Sequence, residues 1–275
     1  AEGETTAHVN ETLPESPQKA PLTEAQKEIW LAAQAGDEAS CSFNESFNLT
    51  LDGALDETAF RQALDLVVAR HNAFHIRFAR NGEHFEVMPD FRIDLSSTEV
   101  SGAAELAKIV DREARTAFDL VNGPLARAEL VRLSQERHVL VFTAHHIVCD
   151  GWSVNVLIEE LAATYSALVK GAAPNLPPAL AFSAYAQERA NRPEAADDTE
   201  RFWLSQFETV PELPELPTDR PRPQWRSFAG GTCTAHIDEV TYKRLKKAGA
   251  KSGATLFSTL LAALQVMIGR LSGSD

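Results

Sequence analysis

The amino-acid sequence predicts an α/β fold of the α+β type, in which helices cover a mixed β-sheet. Apolar residues alternate with other residues, as in strands, over residues 43–51, 125–133 and 139–145. Residues 103–118 carry apolar side chains at the spacing of one helix face. The dipeptide Asn81-Gly82 is typical of tight hairpin turns, so part of the sheet is expected to be antiparallel.

The N-terminal region is interpreted as a linker followed by the first helix. Residues 1–20 are rich in Glu, Thr, Ser and Pro, as interdomain linkers are, and the chain does not begin with Met. We therefore expect a piece of a longer polypeptide. Thr23 and Gln26 have the spacing of a capping box, and Trp30 lies on the apolar side, which predicts a helix.

The next segment is predicted to contain a second helix and a hairpin. Asp56 is expected to cap a helix that ends near Arg70. Residues 74–80 and 83–88 are predicted strands on either side of Asn81-Gly82.

The C-terminal hundred residues are predicted to hold a crossing segment, connectors and helices. Residues 172–178 are rich in proline, which indicates a crossing between two lobes. A helix with Phe202, Trp203 and Phe207 follows, and core packing is the commoner role of such side chains. The remaining predictions are an extended Pro-rich connector at 210–223, a weak strand at 228–237, a basic helix capped by Asp238 and an apolar helix at 254–271.

Composition and charge disfavour several classes of function. The 275 residues are 44% hydrophobic and 24% charged, which is ordinary for a domain that folds in water. A net charge of -13 disfavours nucleic-acid binding, because neutralising phosphates requires basic side chains. No apolar run reaches the ~18 residues of a membrane span and no signal peptide is recognisable, so we expect no membrane role and a cytoplasmic location. Cys41, Cys149 and Cys233 are too far apart to predict a disulfide framework or a zinc cluster.

The predicted strand at 139–145, which is expected to pair with 125–133, ends on two adjacent histidines that we interpret as the active site. Because successive side chains of a strand point to opposite faces, His145 and His146 are not expected to converge on one metal ion. A structural role is the commoner one for a buried histidine such as His145. His146 stands at the end of the strand, where a neutral imidazole can accept a proton near neutral pH.

The residues after the histidines are expected to form a tight turn and a helix. Ser153 is predicted to be the helix N-cap, and Lys170-Gly171 is predicted to end the helix. Asp150 is expected to hold the loop by pairing with an arginine, or alternatively to orient the imidazole. Cys149 as a nucleophile stays open, although no separate base and orienting group is recognisable for it.

This region resembles a known family. The residues His145-His-Ile-Val-Cys-Asp-Gly151 are similar to the HHxxxDG motif of condensation domains of nonribosomal peptide synthetases. Chloramphenicol acetyltransferase and other acyl-CoA-dependent acyltransferases share the shorter HxxxDG pattern. Gln26 and Trp30 resemble the first core motif of condensation domains, and the opening around them is similar to that of hybrid polyketide-peptide lines, which would make the donor a polyketide acyl chain.

Two further stretches resemble family motifs in part. Arg70-His71 begins a stretch similar to the RHExLR motif, from which Asn72 and His75 depart. Residues 182–185 match a YxDYA-type motif, with Ala184 where the family has Asp.

The resemblance implies a chloramphenicol-acetyltransferase-like lobe within a two-lobe, V-shaped condensation domain. On this interpretation residues 1–20 are an interdomain linker and residues 21–175 are the N-terminal lobe. Residues 176–275 are then the crossover and the incomplete beginning of the C-terminal lobe, so a truncated domain is expected.

The resemblance also implies a reaction, in which an amide bond forms between an acyl or peptidyl thioester donor and an aminoacyl thioester acceptor. Both substrates would be carried on phosphopantetheine arms of upstream and downstream carrier domains, which together with neighbouring synthetase domains are the expected partners. No cofactor or metal is expected to bind the domain itself. The implied site residues are His146 and the backbone N–H of Gly151 for catalysis, His145, Asp150 and Arg70 for structure, and Trp152 and Ser153 for substrate binding.

Three alternatives remain open. One is an acyltransferase of the same fold that uses acyl-CoA. Another is a non-catalytic module that docks carrier domains or tailoring enzymes. The third is a related subtype: epimerisation stays open, whereas heterocyclisation domains carry a paired-Asp motif that is absent here.

Overall fold

The structure is a computed structural model that describes residues 13–191, 197–211 and 214–273. The chain divides into two compact units, Ala1–Arg192 and Pro193–Asp275, and each is described by itself.

The described part of the first unit contains two β-sheets. Its strands are β1 (Gln18–Pro21), β2 (Asn44–Asp52), β3 (Ile76–Phe78), β4 (His84–Val87), β5 (Leu95–Glu99), β6 (Ala126–Ser134) and β7 (Arg137–His145). The larger sheet has the order β2-β7-β6-β5, and the smaller one has the order β1-β4-β3. All neighbours are antiparallel except β5 and β6, which are parallel. The predicted mixed sheet is confirmed.

Helices cover both faces of the larger sheet because the side chains of β7 alternate and are apolar on both sides. The helices of this unit are α1 (Glu24–Ala33), α2 (Asp37–Cys41), α3 (Glu57–Arg70), α4 (Ala103–Arg115), α5 (Gly151–Val169) and α6 (Phe182–Asn191). Leu140 and Phe142 of β7 belong to the main core with residues of α3 and α5. Val139 and Val141 pack on the other face with Ile109 of α4. Strand β7 is therefore buried on both faces, and its C-terminal end is held in a rigid position.

Local sequence signals located the elements well where capping or turn chemistry is strong. Thr23 and Gln26 form the predicted capping box of α1, and Asp56 caps α3 through the N–H of Ala59. The two predicted hairpins, β3-β4 and β6-β7, are confirmed. The β3-β4 loop is longer than the predicted two residues, because Ala79 and Glu83 flank the turn without joining the strands.

Several elements differ from the sequence predictions. Strand β1 begins at Gln18, within the region interpreted as linker, because it pairs with β4. Strand β5 and helix α2 were not predicted: both are five residues long, and β5 has only one buried side chain, so neither gives a periodic pattern. Strand β7 ends at His145, so His146 is the first residue after the strand.

The second unit consists, in its described residues, of α7 (Asp197–Gln206), α8 (Glu239–Lys251) and α9 (Leu256–Ser272) with irregular connections. Asp238 caps α8 as predicted, through the N–H of Thr241. The strand predicted at 228–237 is wrong, since this segment has no strand partner among the described residues. Phe202, Trp203 and Phe207 contact one another but stay more than half exposed, so the predicted core packing is not found in the described part of this chain.

Within the described residues, no single helix has the length and apolar character of a membrane span. Among the described helices, α8 and α9 taken together reach this length and composition, but they are bent by 99° at their junction.

Candidate active site

The two histidines lie at the junction between β7 and α5, where backbone hydrogen bonds fix the chain on both sides. The N–H of His145 donates to the carbonyl of Leu125 at 2.9 Å, and the N–H of His146 donates to the carbonyl of Phe43 at 2.8 Å. A turn closes when Val148 N donates to His145 O at 3.0 Å. Backbone hydrogen bonds to Leu125 and Phe43 therefore fix His145 and His146 at the point where the chain leaves the sheet.

His145 is fully buried and held as a neutral ring. The backbone N–H of Ile147 donates to its Nδ1 at 3.2 Å, so Nδ1 carries no proton and Nε2 carries the hydrogen, which faces Ser40 Oγ at 3.3 Å. Phe43 and Phe118 lie against the ring. Burial, with a smaller contribution from His146, lowers the pKa of His145 to about 4. These contacts support the predicted structural role.

His146 has the opposite tautomer and a partly exposed side chain. Its Nδ1 lies 2.9 Å from the carbonyl oxygen of Cys149, which can only accept a hydrogen bond, so Nδ1 carries the proton. Nε2 is then the unprotonated nitrogen, and the side chain is 38% exposed. A carboxylate oxygen of Glu45 lies 3.5 Å from the same Nδ1. The ring can therefore accept a proton at Nε2, as predicted for a base.

Asp150, and not Ser153, is the N-cap of α5. Its Oδ1 accepts from Ser153 N at 2.8 Å and from Ser153 Oγ at 2.6 Å. These donors lower the pKa of the Asp150 carboxyl. Among the described residues Asp150 makes no ion pair with an arginine, so the predicted pairing is replaced by helix capping. The sequence prediction of the cap was wrong because Asp and Ser are both good caps and only the geometry shows which one the helix follows.

The first two residues of α5 are exposed beside the histidine turn. Gly151 has a backbone N–H without an acceptor among the described residues, as is usual in the first turn of a helix. A Cβ placed on Gly151 would meet no atom of the chain within 4 Å, and its φ is not in the left-handed region, so the fold itself does not require glycine. Trp152 is 79% exposed. Ser153 directs its hydroxyl to Asp150.

The cysteine between the histidines and the helix is not arranged as a nucleophile. Cys149 is buried, and burial, reinforced by Asp150 and Glu45, raises the pKa of its thiol to about 12. A thiol of this pKa carries almost no thiolate at neutral pH. The structure thus disfavours the Cys149 alternative.

Gln26 contacts the histidine turn directly, which the sequence did not reveal. Its Nε2 donates to Ile147 O at 3.1 Å, while its Oε1 accepts from Thr23 N at 3.1 Å. The side chain is buried. One amide therefore caps α1 and holds the turn that follows His146; the capping-box pattern predicted only the first of these contacts.

Arg70 lies in a different cluster, away from Asp150. It is 3% exposed and its Nε donates to both carboxylate oxygens of Glu160, at 3.2 and 3.1 Å. Its guanidinium also donates to Pro177 O, and His71 Nε2 lies 2.7 Å from Glu160. Arg70 is therefore not a solvated charge at the end of α3. Arg70 instead joins α3, α5 and the Pro-rich segment that precedes α6.

Asn72, one of the two departures from the RHExLR pattern, also has a structural partner. Its Oδ1 accepts from Phe182 N at 2.7 Å and its Nδ2 donates to Ser183 Oγ at 2.9 Å. The asparagine therefore attaches the start of α6 to the end of α3.

A family model for the condensation domain matches residues 16–275. The chain belongs to the condensation-domain family. This condensation domain is 36% identical over 266 residues to chondramide synthase of Chondromyces crocatus, and 35% identical over 267 residues to a linear gramicidin synthase polypeptide of Brevibacillus parabrevis. The matches cover 93% of the chain but only 7% and 5% of those proteins. Another relative, from Salinispora arenicola, bears the name of a nonribosomal peptide synthetase, so the predicted family is confirmed.

Solved structures show the same fold. The X-domain from teicoplanin biosynthesis matches with a TM-score of 0.76 and 30% identity over 94% of this chain and 58% of that chain. The first condensation domain of the calcium-dependent antibiotic synthetase, with a substrate analogue, matches with a TM-score of 0.75 and 25% identity over 94% of this chain and 62% of that chain. This condensation domain thus spans less than two thirds of either solved chain.

In the part of the chain that the structure describes, no group of three or more His, Cys, Asp or Glu side chains is placed to hold a metal ion. His145 and His146 make separate contacts, as their positions in the strand predict.

Proposed function

We propose that this condensation domain forms an amide bond between a carrier-bound acyl or peptidyl thioester and the amine of a carrier-bound aminoacyl thioester. The observation that carries the proposal is the tautomer of His146. Its Nδ1 is held by Cys149 O, so the partly exposed ring carries an unprotonated Nε2 directly after a rigid strand. A general base needs this state and this position.

The reaction then proceeds with one proton transfer at His146. The neutral amine attacks the thioester carbonyl, a C–N bond forms, and the nitrogen loses a proton to Nε2. The carbonyl oxygen becomes negative for the duration of the tetrahedral intermediate. When the C–S bond breaks, the leaving thiolate takes the proton from the imidazolium, which restores the neutral ring.

The N-terminus of α5 supplies the partner for the developing negative charge. The N–H of Gly151 has no acceptor in the described residues, and helix N-termini favour anions. The open space where a Cβ of Gly151 would lie leaves room for the substrate to approach this N–H. Exposed Trp152 is assigned to contact the substrate, whereas the Asp150 contact of Ser153 limits its hydroxyl to a supporting role.

The domain limits are part of the proposal. We assign residues 21–175, together with β1, which begins at Gln18, to the N-terminal lobe and residues 176–275 to the crossover and the start of the second lobe. The substrates arrive on phosphopantetheine arms of upstream and downstream carrier domains in the cytoplasm, and no cofactor is bound by the domain itself. The polyketide nature of the donor is proposed only from the resemblance of the opening segment.

The experiment that tests this function is intact-protein mass spectrometry of acyl transfer between a loaded donor carrier and a loaded acceptor carrier. It is run with this chain and with a version that has a complete second lobe. An amide-linked product on the acceptor carrier supports the proposal. Transfer from acyl-CoA but not from the donor carrier would support the CoA-dependent alternative, and epimerisation of the donor without transfer would support that subtype.

A second candidate function, a non-catalytic docking module, is favoured by one relative. The X-domain of teicoplanin biosynthesis has been solved in complex with OxyB, and it matches 98% of this chain with 29% identity and a TM-score of 0.75. Binding of a carrier or a tailoring enzyme without any product from either version of the domain would support this candidate instead.

A further inference from the structure

We propose that Glu45 is a positioning residue that acts through His146: its carboxylate lies beside the protonated Nδ1 and stabilises the imidazolium that forms during the reaction. This inference rests on the proposed function. Glu45 is the second residue of β2 and pairs with Ala144 of β7, two residues before His146. The sheet register therefore fixes Glu45 at the catalytic end of β7.

The distances define what Glu45 can do. The carboxylate oxygen is 3.5 Å from Nδ1, whereas the carbonyl of Cys149 is at 2.9 Å, so Cys149 is the hydrogen-bond acceptor and Glu45 acts by charge. In the described residues no lysine or arginine forms an ion pair with Glu45, and His146 is the cation-forming group beside it. The carboxylate is therefore available to the ring.

Protonation of His146 at Nε2 makes the ring positive while the proton on Nδ1 stays in place. A negative charge 3.5 Å from Nδ1 stabilises this state more than it stabilises the neutral ring. Asp150 is another carboxylate close to His146, and it also interacts with the ring by charge while its Oδ1 caps α5. Its charge is unchanged in Glu45→Gln, so that substitution isolates the contribution of Glu45. Both Glu45 and His146 are partly exposed, at 42% and 38%, so water screens the interaction and the effect is moderate.

The test is Glu45→Gln, which keeps the size and polarity of the side chain and removes the charge. The matched control is Asp52→Asn, which removes a carboxylate from the far end of the same strand, where the side chain is exposed. We expect Glu45→Gln to lower kcat about two- to fivefold with KM for the acceptor unchanged, and Asp52→Asn to change neither. A raised KM with an unchanged kcat, or no effect on either, would overturn the inference.

A double-mutant cycle shows whether Glu45 acts through His146. In the background of His146→Ala, Glu45→Gln is expected to have no further effect, because the group that it stabilises is gone. An additive loss would contradict the inference.

A readout without turnover separates this inference from the proposed function. In 15N-labelled histidine spectra at high pH, His146 is expected to hold its hydrogen on Nδ1, and Glu45→Gln is expected to raise the population of the other tautomer while His145 is unchanged. An unchanged His146 tautomer in Glu45→Gln would refute the charge contact. If the tautomer changes but His146→Ala leaves turnover intact, the contact stands and the proposed function fails.

Discussion

Replacement of Glu160 by glutamine tests the buried ion pair that joins α3 to α5. Glu160 lies on α5, the helix that begins at the candidate oxyanion donor, and its carboxylate receives Nε–H of Arg70 at 3.1 and 3.2 Å. Arg70 is 3% and Glu160 13% exposed, so water can compensate little for the loss of the Glu160 carboxylate charge. His71 contacts the same carboxylate at 2.7 Å. The substitution therefore leaves a buried guanidinium beside a neutral amide.

The expected cost follows from this burial. Removal of one partner of a buried ion pair costs about 3–5 kcal/mol, and we expect the lower end, about 3 kcal/mol, because Arg70 keeps its contact with Pro177 O. In urea, with a slope of about 2 kcal/mol per M, the unfolding midpoint should fall by about 1.5 M.

The assay is urea unfolding at pH 7.5, followed by circular dichroism, with Glu159→Gln as the control. Glu159 is the preceding residue of the same helix and is exposed, so its loss should change the free energy of unfolding by less than about 0.5 kcal/mol. If Glu160→Gln and Glu159→Gln unfold at the same urea concentration, the Arg70 cluster does not stabilise the fold and this reasoning is refuted.

Three further predictions concern the histidine turn. Gln26→Met should lower the free energy of unfolding by about 1–3 kcal/mol because the buried carbonyl of Ile147 loses its donor, whereas Gln34→Met, at an exposed amide that follows the same helix, should have little effect in the same urea titration. The contribution of His145 to the free energy of unfolding should fall by about 2.5 kcal/mol between pH 6.5 and pH 4, because the folded state keeps the ring neutral with a pKa of about 4 while the unfolded chain takes up a proton. His145→Gln should therefore lose about this much less stability over the same pH range, and an equal loss in both proteins would contradict the prediction. Gly151→Ala should leave the melting temperature unchanged or slightly raised, since the added methyl meets no atom of the chain and alanine favours the helix. It should slow acyl transfer at least tenfold if the substrate occupies the space of the methyl, and unchanged transfer would show that the substrate does not approach the Gly151 N–H through that space.

Much of the fold could be predicted because its signals are local. The capping box at Thr23, the cap at Asp56 and the alternation of β7 depend on residues within a few positions of each other. The HHxxxDG residues likewise identified the family and the position of His146. Strands β1 and β5 could not be found in this way, because each is short and is defined by a partner far away in sequence.

The tertiary contacts that shape the candidate site could not be predicted from the sequence. Gln26 reaches Ile147 across 121 positions, and Glu45 reaches His146 only because β2 pairs with β7 in one register. The tautomers of His145 and His146 follow from single backbone atoms, Ile147 N and Cys149 O, whose directions depend on how the turn closes. The error at Ser153 has the same origin, since the chain offers two good caps three residues apart.

The most direct test of His146 as the general base is the single-turnover rate of amide formation by His146→Ala. It is measured in whichever form of the domain makes the product. The control is His84→Ala, which removes another partly exposed histidine from the smaller sheet. If Nε2 of His146 is the base, His146→Ala should be folded and about 10²- to 10⁴-fold slower, and His84→Ala should match the unmodified domain. A folded His146→Ala protein with an unchanged rate would contradict the assignment.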